Sequence, residues 1–178
     1  MTRRITDLAD PSWWSLFTEI GESWFRLETL QQYDVDYEAS GFAEFQRTGR
    51  VGGGDPEWQE LVRDHASHGR SLRRVHLVRE PLTDYLRYEL AIYALNNAAG
   101  EDIRILPASE SLPSSLRGAS DFWILDDREV WAIQYDHAGR FVAADGTSDP
   151  ALLARCQQQR DDALRSSMPI AEYRAQAA

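Results

Sequence analysis

The chain has 178 residues, and its nineteen basic and twenty-nine acidic side chains give a net charge of −10. With 43% apolar and 11% aromatic residues it can bury a sizeable core, which excludes disorder as its main state. The negative field repels phosphate backbones and anionic lipid surfaces, which argues against direct nucleic-acid or membrane binding.

Asp10-Pro11 predicts a helix start, with Trp13, Trp14, Phe17 and Ile20 at helical spacing and Gly21 as the stop. Trp24 to Leu30 alternates as a strand, and a helix is expected from about Tyr37 to Arg47. Gly52-Gly53-Gly54 marks a flexible loop. It has neither GxGxxG nor GK[ST] spacing, so it is no phosphate loop. Asp55 caps the next helix, with Pro56 at its first position and Gly69 at its end. A strand at Arg73–Val78, a helix at Leu82–Ala99 closed by Gly100, and a strand at Asp102–Leu106 form a βαβ unit. Strands at Asp121–Asp126, Val130–Tyr135 and Arg140–Ala144 follow as an antiparallel meander. A long helix then runs to about Ser167, Pro169 breaks it, and Ile170–Ala178 reads as a short, fraying helix. The expectation is a mixed α/β (α+β) fold with helices on both faces of a mixed sheet. It forms a single domain over 1–178, with an N-terminal part at 1–54, an α/β core at 55–168 and a tail at 169–178.

Composition excludes several chemistries. Every basic residue is Arg, so there is no Schiff-base lysine and no P-loop lysine. Cys156 is the lone cysteine, so neither a disulfide framework nor a Cys-rich metal site is available. Its flanking arginines would lower its pKa, yet no arranged histidine makes it a nucleophile. His65 and His68 lie three apart, but no Cys, third His or Glu adjoins them in sequence, so a solvated helix end is expected there rather than a metal. No cofactor is implied. The N-terminus lacks an apolar signal core and Leu86–Ala99 is interrupted by charges, so a cytoplasmic chain is expected.

The Leu82–Ala99 helix carries the most informative pattern. At 100° per residue Glu89 and Asn96 fall inside its apolar arc, facing the sheet. A carboxylate there must be paired, hydrogen-bonded or protonated. Arg74 and His76 share one face of the first strand, and Arg104 lies mid-strand in the second, where parallel sheets are usually apolar. Three readings stay open: a Glu89–Arg ion pair fixing helix on sheet, a ligand or catalytic pocket that includes Glu89, or an exposed Glu89. The candidate binding residues are Arg74, His76, Glu89, Arg104, Asp121 and Asp126, with no catalytic residue assigned.

From Trp24 onward the chain resembles an uncharacterised actinobacterial family, domain of unknown function 6879. The resemblance rests on Phe25-Arg26-Leu27-Glu28-Thr29-Leu30, on Arg74-Val75-His76-Leu77-Val78-Arg79-Glu80-Pro81, and on Gly100-Glu101-Asp102-Ile103-Arg104 together with Asp121-Phe122-Trp123-Ile124-Leu125-Asp126-Asp127. Members of that family tend to accompany helix-turn-helix regulators. This implies a non-enzymatic accessory or sensor protein working through contact with a transcriptional regulator, with or without a small ligand. A second resemblance is to phospholipase D-like domains. Gly100–Ile105 is similar to their middle strand, and Asp121–Asp127 to the strand that carries the H-x-K-x-x-x-x-D motif. Placing Asp126 on the motif's aspartate puts Ala119 at its histidine and Asp121 at its lysine, so the nucleophile and the phosphate-neutralising cation are both missing. The rival reading is an enzyme or toxin, phosphodiesterase-like or nucleotide-handling, with a pocket around Glu89 and Arg104.

Overall fold

The computed structural model describes residues 3–109 and 111–176. In chain order the elements are β1 (Arg3–Ile5), α1 (Pro11–Thr18), β2 (Ser23–Glu28), α2 (Ala39–Thr48), α3 (Pro56–Ser67), β3 (Ser71–Val78), α4 (Asp84–Ala99), β4 (Asp102–Pro107), β5 (Phe122–Leu125), β6 (Glu129–Tyr135), β7 (Phe141–Thr147), α5 (Pro150–Ser166), β8 (Met168–Pro169) and α6 (Ile170–Gln176). Single 3-10 turns occupy Asp36–Glu38 and Ser114–Leu116.

Side-chain caps set most helix starts. Asp10 accepts from the Ser12 amide (2.9 Å), Asp55 from Glu57 and Trp58 (3.0 and 3.1 Å), and Asp149 from Leu152 (2.8 Å), each with proline at the first helical position. Thr83 caps α4 through the Leu86 amide at 3.0 Å, so this helix begins at Asp84 rather than Leu82. Gly100 ends α4 at φ 125°, and a Cβ there would stand 2.8 Å from that of Ala66. Glycine is therefore required twice, for the backbone conformation and for the approach of α3 to α4.

One eight-stranded sheet has the order β1-β7-β6-β5-β2-β3-β4-β8. The mixed sheet expected from sequence is observed, with β3-α4-β4 parallel and β5-β6-β7 as the antiparallel meander. To this β2 adds a third parallel strand beside β3 and pairs antiparallel with β5 on its other side. The edge strands β1 and β8 were not anticipated.

Helices cover both faces. On one face Phe25, Leu27, Val75 and Leu77 pack with Cys156 and Ala163 of α5. On the other, Trp24 and Leu72 pack with Phe17 of α1 and Val62 of α3, while Val78, Ile103 and Ile105 pack with Leu86, Leu90 and Tyr93 of α4 and with α6. No helix of the described residues is long and apolar enough to cross a membrane.

Candidate functional site

Alternation along β2 puts Trp24, Arg26 and Glu28 on the α4 side of the sheet, and along β3 it puts Leu72, Arg74, His76 and Val78 there. The parallel register sets Arg26 beside Arg74 and Glu28 beside His76. Two guanidiniums side by side under a helix require carboxylates, and Glu28, Glu101 and Asp121 converge on them. Arg26, Glu28, Arg74, His76, Glu89, Glu101 and Asp121 are all buried.

Asp121 stands just before β5, across β2 from His76. Its Oδ2 accepts from Arg26 Nη2 (2.9 Å) and the Tyr33 hydroxyl (2.6 Å), and its Oδ1 from the Thr29 amide (2.9 Å) and hydroxyl (2.7 Å). All the strong acceptor positions of this carboxylate are thereby used. Arg26 also donates to the Tyr135 hydroxyl (2.9 Å) and lies over the Trp123 ring at 5.2 Å.

Glu28 takes Arg74 Nη1 on both oxygens, each at 3.1 Å, and the Tyr93 hydroxyl on Oε2 at 2.5 Å. Arg74 Nε donates to Glu101 Oε1 (3.0 Å), whose other oxygen accepts from Trp58 Nε1 (3.3 Å). Burial alone would raise the Glu28 carboxyl, but Arg74 and then Arg26 outweigh it and hold it down at about 2.

His76 is fully buried. Its Nε2 faces the Leu30 carbonyl at 2.7 Å, and a carbonyl can only accept, so Nε2 carries the hydrogen. Burial lowers the imidazole pKa despite Glu28, leaving Nδ1 as a lone pair. That lone pair faces the Tyr93 hydroxyl at 2.9 Å and Glu89 Oε2 at 3.4 Å. Glu89 Oε2 is buried without a hydrogen-bond partner among the described residues. Burial, then the carboxylates of Glu28 and Glu38, push the Glu89 pKa well above its ordinary value.

Arg74, His76, Glu89 and Asp121 are therefore brought together, and two other candidates are not. Register pairs Arg104 with Val75, on the opposite face, where its guanidinium donates to Ser167 Oγ (3.1 Å) and the Ser167 carbonyl (2.8 Å). Glu89 and Arg104 therefore lie on opposite faces of the sheet. The Glu89–Arg pair is corrected as well, since Glu89 meets His76 and neighbouring carboxylates instead. Asp126 lies in the β5–β6 turn at φ 51°, accepting from the amides of Gly21 (2.9 Å), Glu22 (2.7 Å) and Ser23 (2.9 Å), and so fixes the start of β2.

Two further expectations change. His65 is not solvated: it is buried, its Nε2 on the Phe17 carbonyl at 2.7 Å, while His68 is exposed. The Cys156 thiol is pushed up to about 11 by burial where α5 packs on the sheet, and Arg155 does not offset this. Arg26, Glu28 and Glu101 were missed. The available signal was the polar pair at i and i+2 in Arg26-Leu27-Glu28, which mirrors Arg74-Val75-His76.

A model of the family described as Domain of unknown function (DUF6879) matches residues 11–175. The chain belongs to that family. No curated protein matches it in sequence. Among solved structures it resembles Nuc, a phospholipase D family member from Salmonella typhimurium, at TM-score 0.57 and 10% identity over 95% of this chain and 97% of that one. It also resembles TrmBL2, an archaeal chromatin protein described by its mode of DNA binding, at TM-score 0.50 and 10% identity over 94% of this chain. The likeness covers 54% of that protein, so the chain spans about half its length. NucT from Helicobacter pylori is also similar, at TM-score 0.48 and 11% identity, covering 95% of this chain and 99% of that one. The likeness to Nuc shows a phospholipase D-like fold, and no activity.

Proposed function

We propose that this DUF6879 chain is a non-catalytic derivative of the phospholipase D-like fold that serves as an accessory protein to a helix-turn-helix regulator. The observation that carries the reading is Asp121. At the place of the motif's lysine stands a buried carboxylate whose acceptor positions are taken by Arg26, Thr29 and Tyr33, and Ala119 stands at the place of the nucleophile. An anion there repels phosphate, and alanine cannot attack phosphorus.

The regulator partner is supported by the family's association with such proteins. The fold likeness to part of a DNA-binding archaeal chromatin protein adds to that support. A net charge of −10 leaves the DNA contact to the partner. The cleft of about 530 Å³ at Leu30, Gln31, Asp34, Asp136 and His137 is acidic at its rim and offers a seat for a basic partner segment.

Two measurements test this reading. Sedimentation of the chain with helix-turn-helix regulators from its own genome should give a discrete complex with one of them, and incubation with bis-p-nitrophenyl phosphate should give no turnover above the blank. Phosphodiester hydrolysis, or independent sedimentation from all of them, overturns it. Salt-sensitive, sub-micromolar binding of duplex DNA by the chain alone would transfer the DNA contact from the partner to this protein.

A further inference from the structure

We propose that Glu28, His76 and Glu89 bind one divalent first-row transition metal ion, with zinc the cation best suited to the donors. The three residues come from β2, β3 and α4, and their nearest ligand atoms lie within 4.8 Å of one another. His76 Nδ1 is 3.4 Å from Glu89 Oε2 and 3.9 Å from Glu28 Oε2. Ligand atoms about 2.1 Å from a shared zinc stand roughly 3–3.5 Å apart, so small side-chain shifts suffice to close the shell.

Three independent observations point to a cation rather than to an accidental cluster. First, the imidazole is oriented as metal-bound histidines are: the far nitrogen is anchored on a backbone carbonyl, Leu30, and the near one faces the Tyr93 hydroxyl and the Glu89 and Glu28 carboxylates. Second, Glu89 Oε2 is buried, aimed at the Nδ1 lone pair, and has no hydrogen-bond donor among the described residues. A buried carboxylate oxygen beside a lone pair is two acceptors facing each other, which a cation between them resolves. Third, the buried network holds four carboxylates, Glu28, Glu89, Glu101 and Asp121, against two guanidiniums, Arg26 and Arg74. With all four ionised, two negative charges are left over, the charge one divalent ion supplies. Arg74 is the opposing charge beside the site, and Glu101 takes up part of it through Nε at 3.0 Å.

One imidazole with two carboxylates favours zinc, iron or manganese over calcium or magnesium, which prefer all-oxygen shells. The Tyr93 hydroxyl, 2.9 Å from Nδ1 and 2.5 Å from Glu28 Oε2, offers a further oxygen donor. Such an ion would tie α4 to two central strands.

The test uses the untagged full chain, stripped with chelator and dialysed against zinc, with metal content read by mass spectrometry. One zinc per chain is expected. Glu89→Gln, which keeps the volume and loses the anionic ligand, should weaken binding by about 100-fold or more. His68→Asn, which removes an exposed histidine 3.6 Å from Asp64, should leave uptake unchanged. X-ray absorption at the zinc edge of the unaltered chain should show one imidazole in a nitrogen and oxygen shell, which keeps the proposal testable if the variant does not fold. Absence of retained zinc, undiminished uptake by Glu89→Gln, loss of uptake in His68→Asn, or a shell containing sulfur or several imidazoles overturns it.

Discussion

The two faces of β2 and β3 are built from alternate residues of the same strands, yet they hold together by different means. Toward α5 stand Phe25, Leu27, Val75 and Leu77, which need only volume and shape. Toward α4 stand Arg26, Glu28, Arg74 and His76, each of which needs a particular partner at a particular atom. A packed apolar face tolerates exchange among similar side chains. A buried polar face is intolerant of losing one member, because the remaining partner is left charged in a low-dielectric interior.

Glu28→Ala tests that contrast most strongly. It leaves Arg74 and Arg26 short of a carboxylate, and a loss of about 3–5 kcal/mol is expected from urea unfolding. Leu27→Ala, on the same strand but facing α5, should cost about 2–5 kcal/mol as a cavity. The comparison sharpens with rescue: Leu27→Met should recover most of the stability, whereas Glu28→Gln should recover only part, since an amide cannot neutralise two guanidiniums. Equal rescue at both positions would erase the distinction between the faces. Arg104→Ala loses hydrogen bonds to Ser167 on the α5 side, and about 0.5–1.5 kcal/mol is expected.

Glu89→Gln should have the smallest effect, and one that changes sign with pH. Measured in chelator, so that no metal contributes, burial and the Glu28 and Glu38 carboxylates hold the Glu89 pKa well above its ordinary value. A carboxyl whose folded-state pKa is raised contributes stability that is present below its unfolded value of about 4.3 and is lost as pH rises toward the folded one. The variant lacks that loss, so its stability relative to the parent should increase steadily from pH 5 upward. Glu28 behaves oppositely. Its stabilisation is present above the unfolded pKa and is lost as pH falls toward about 2. A parallel pair of stability–pH curves for parent and Glu89→Gln would show that Glu89 does not titrate differently in the fold.

Much of the architecture was legible because it is local. Asp10 and Asp55 before Pro11 and Pro56 announce two helices, and the alternation of β5, β6 and β7 announces the meander. Helical spacing alone placed Glu89 under α4, where it is buried. What spacing could not supply was register. Arg104 and Arg74 look equivalent in sequence, but Arg74 pairs with Ile103, which shifts Arg104 to the other face. Likewise, nothing local says that β2 joins β3 in parallel, and that pairing is what sets Arg26 and Glu28 against Arg74 and His76. The short β1 and β8 owe their existence to strands far away in the chain, β7 and β4.

Those two short strands decide how the molecule meets its surroundings. Among the described residues the sheet ends on three residues at one side and two at the other, the first bearing Arg3 and Arg4, the last bearing Pro169. A stray chain seeking to lengthen the sheet finds few rungs, a charged rail and a proline without an amide hydrogen. The fold thus resists templated stacking at both margins, and recognition is left to its helices and loops.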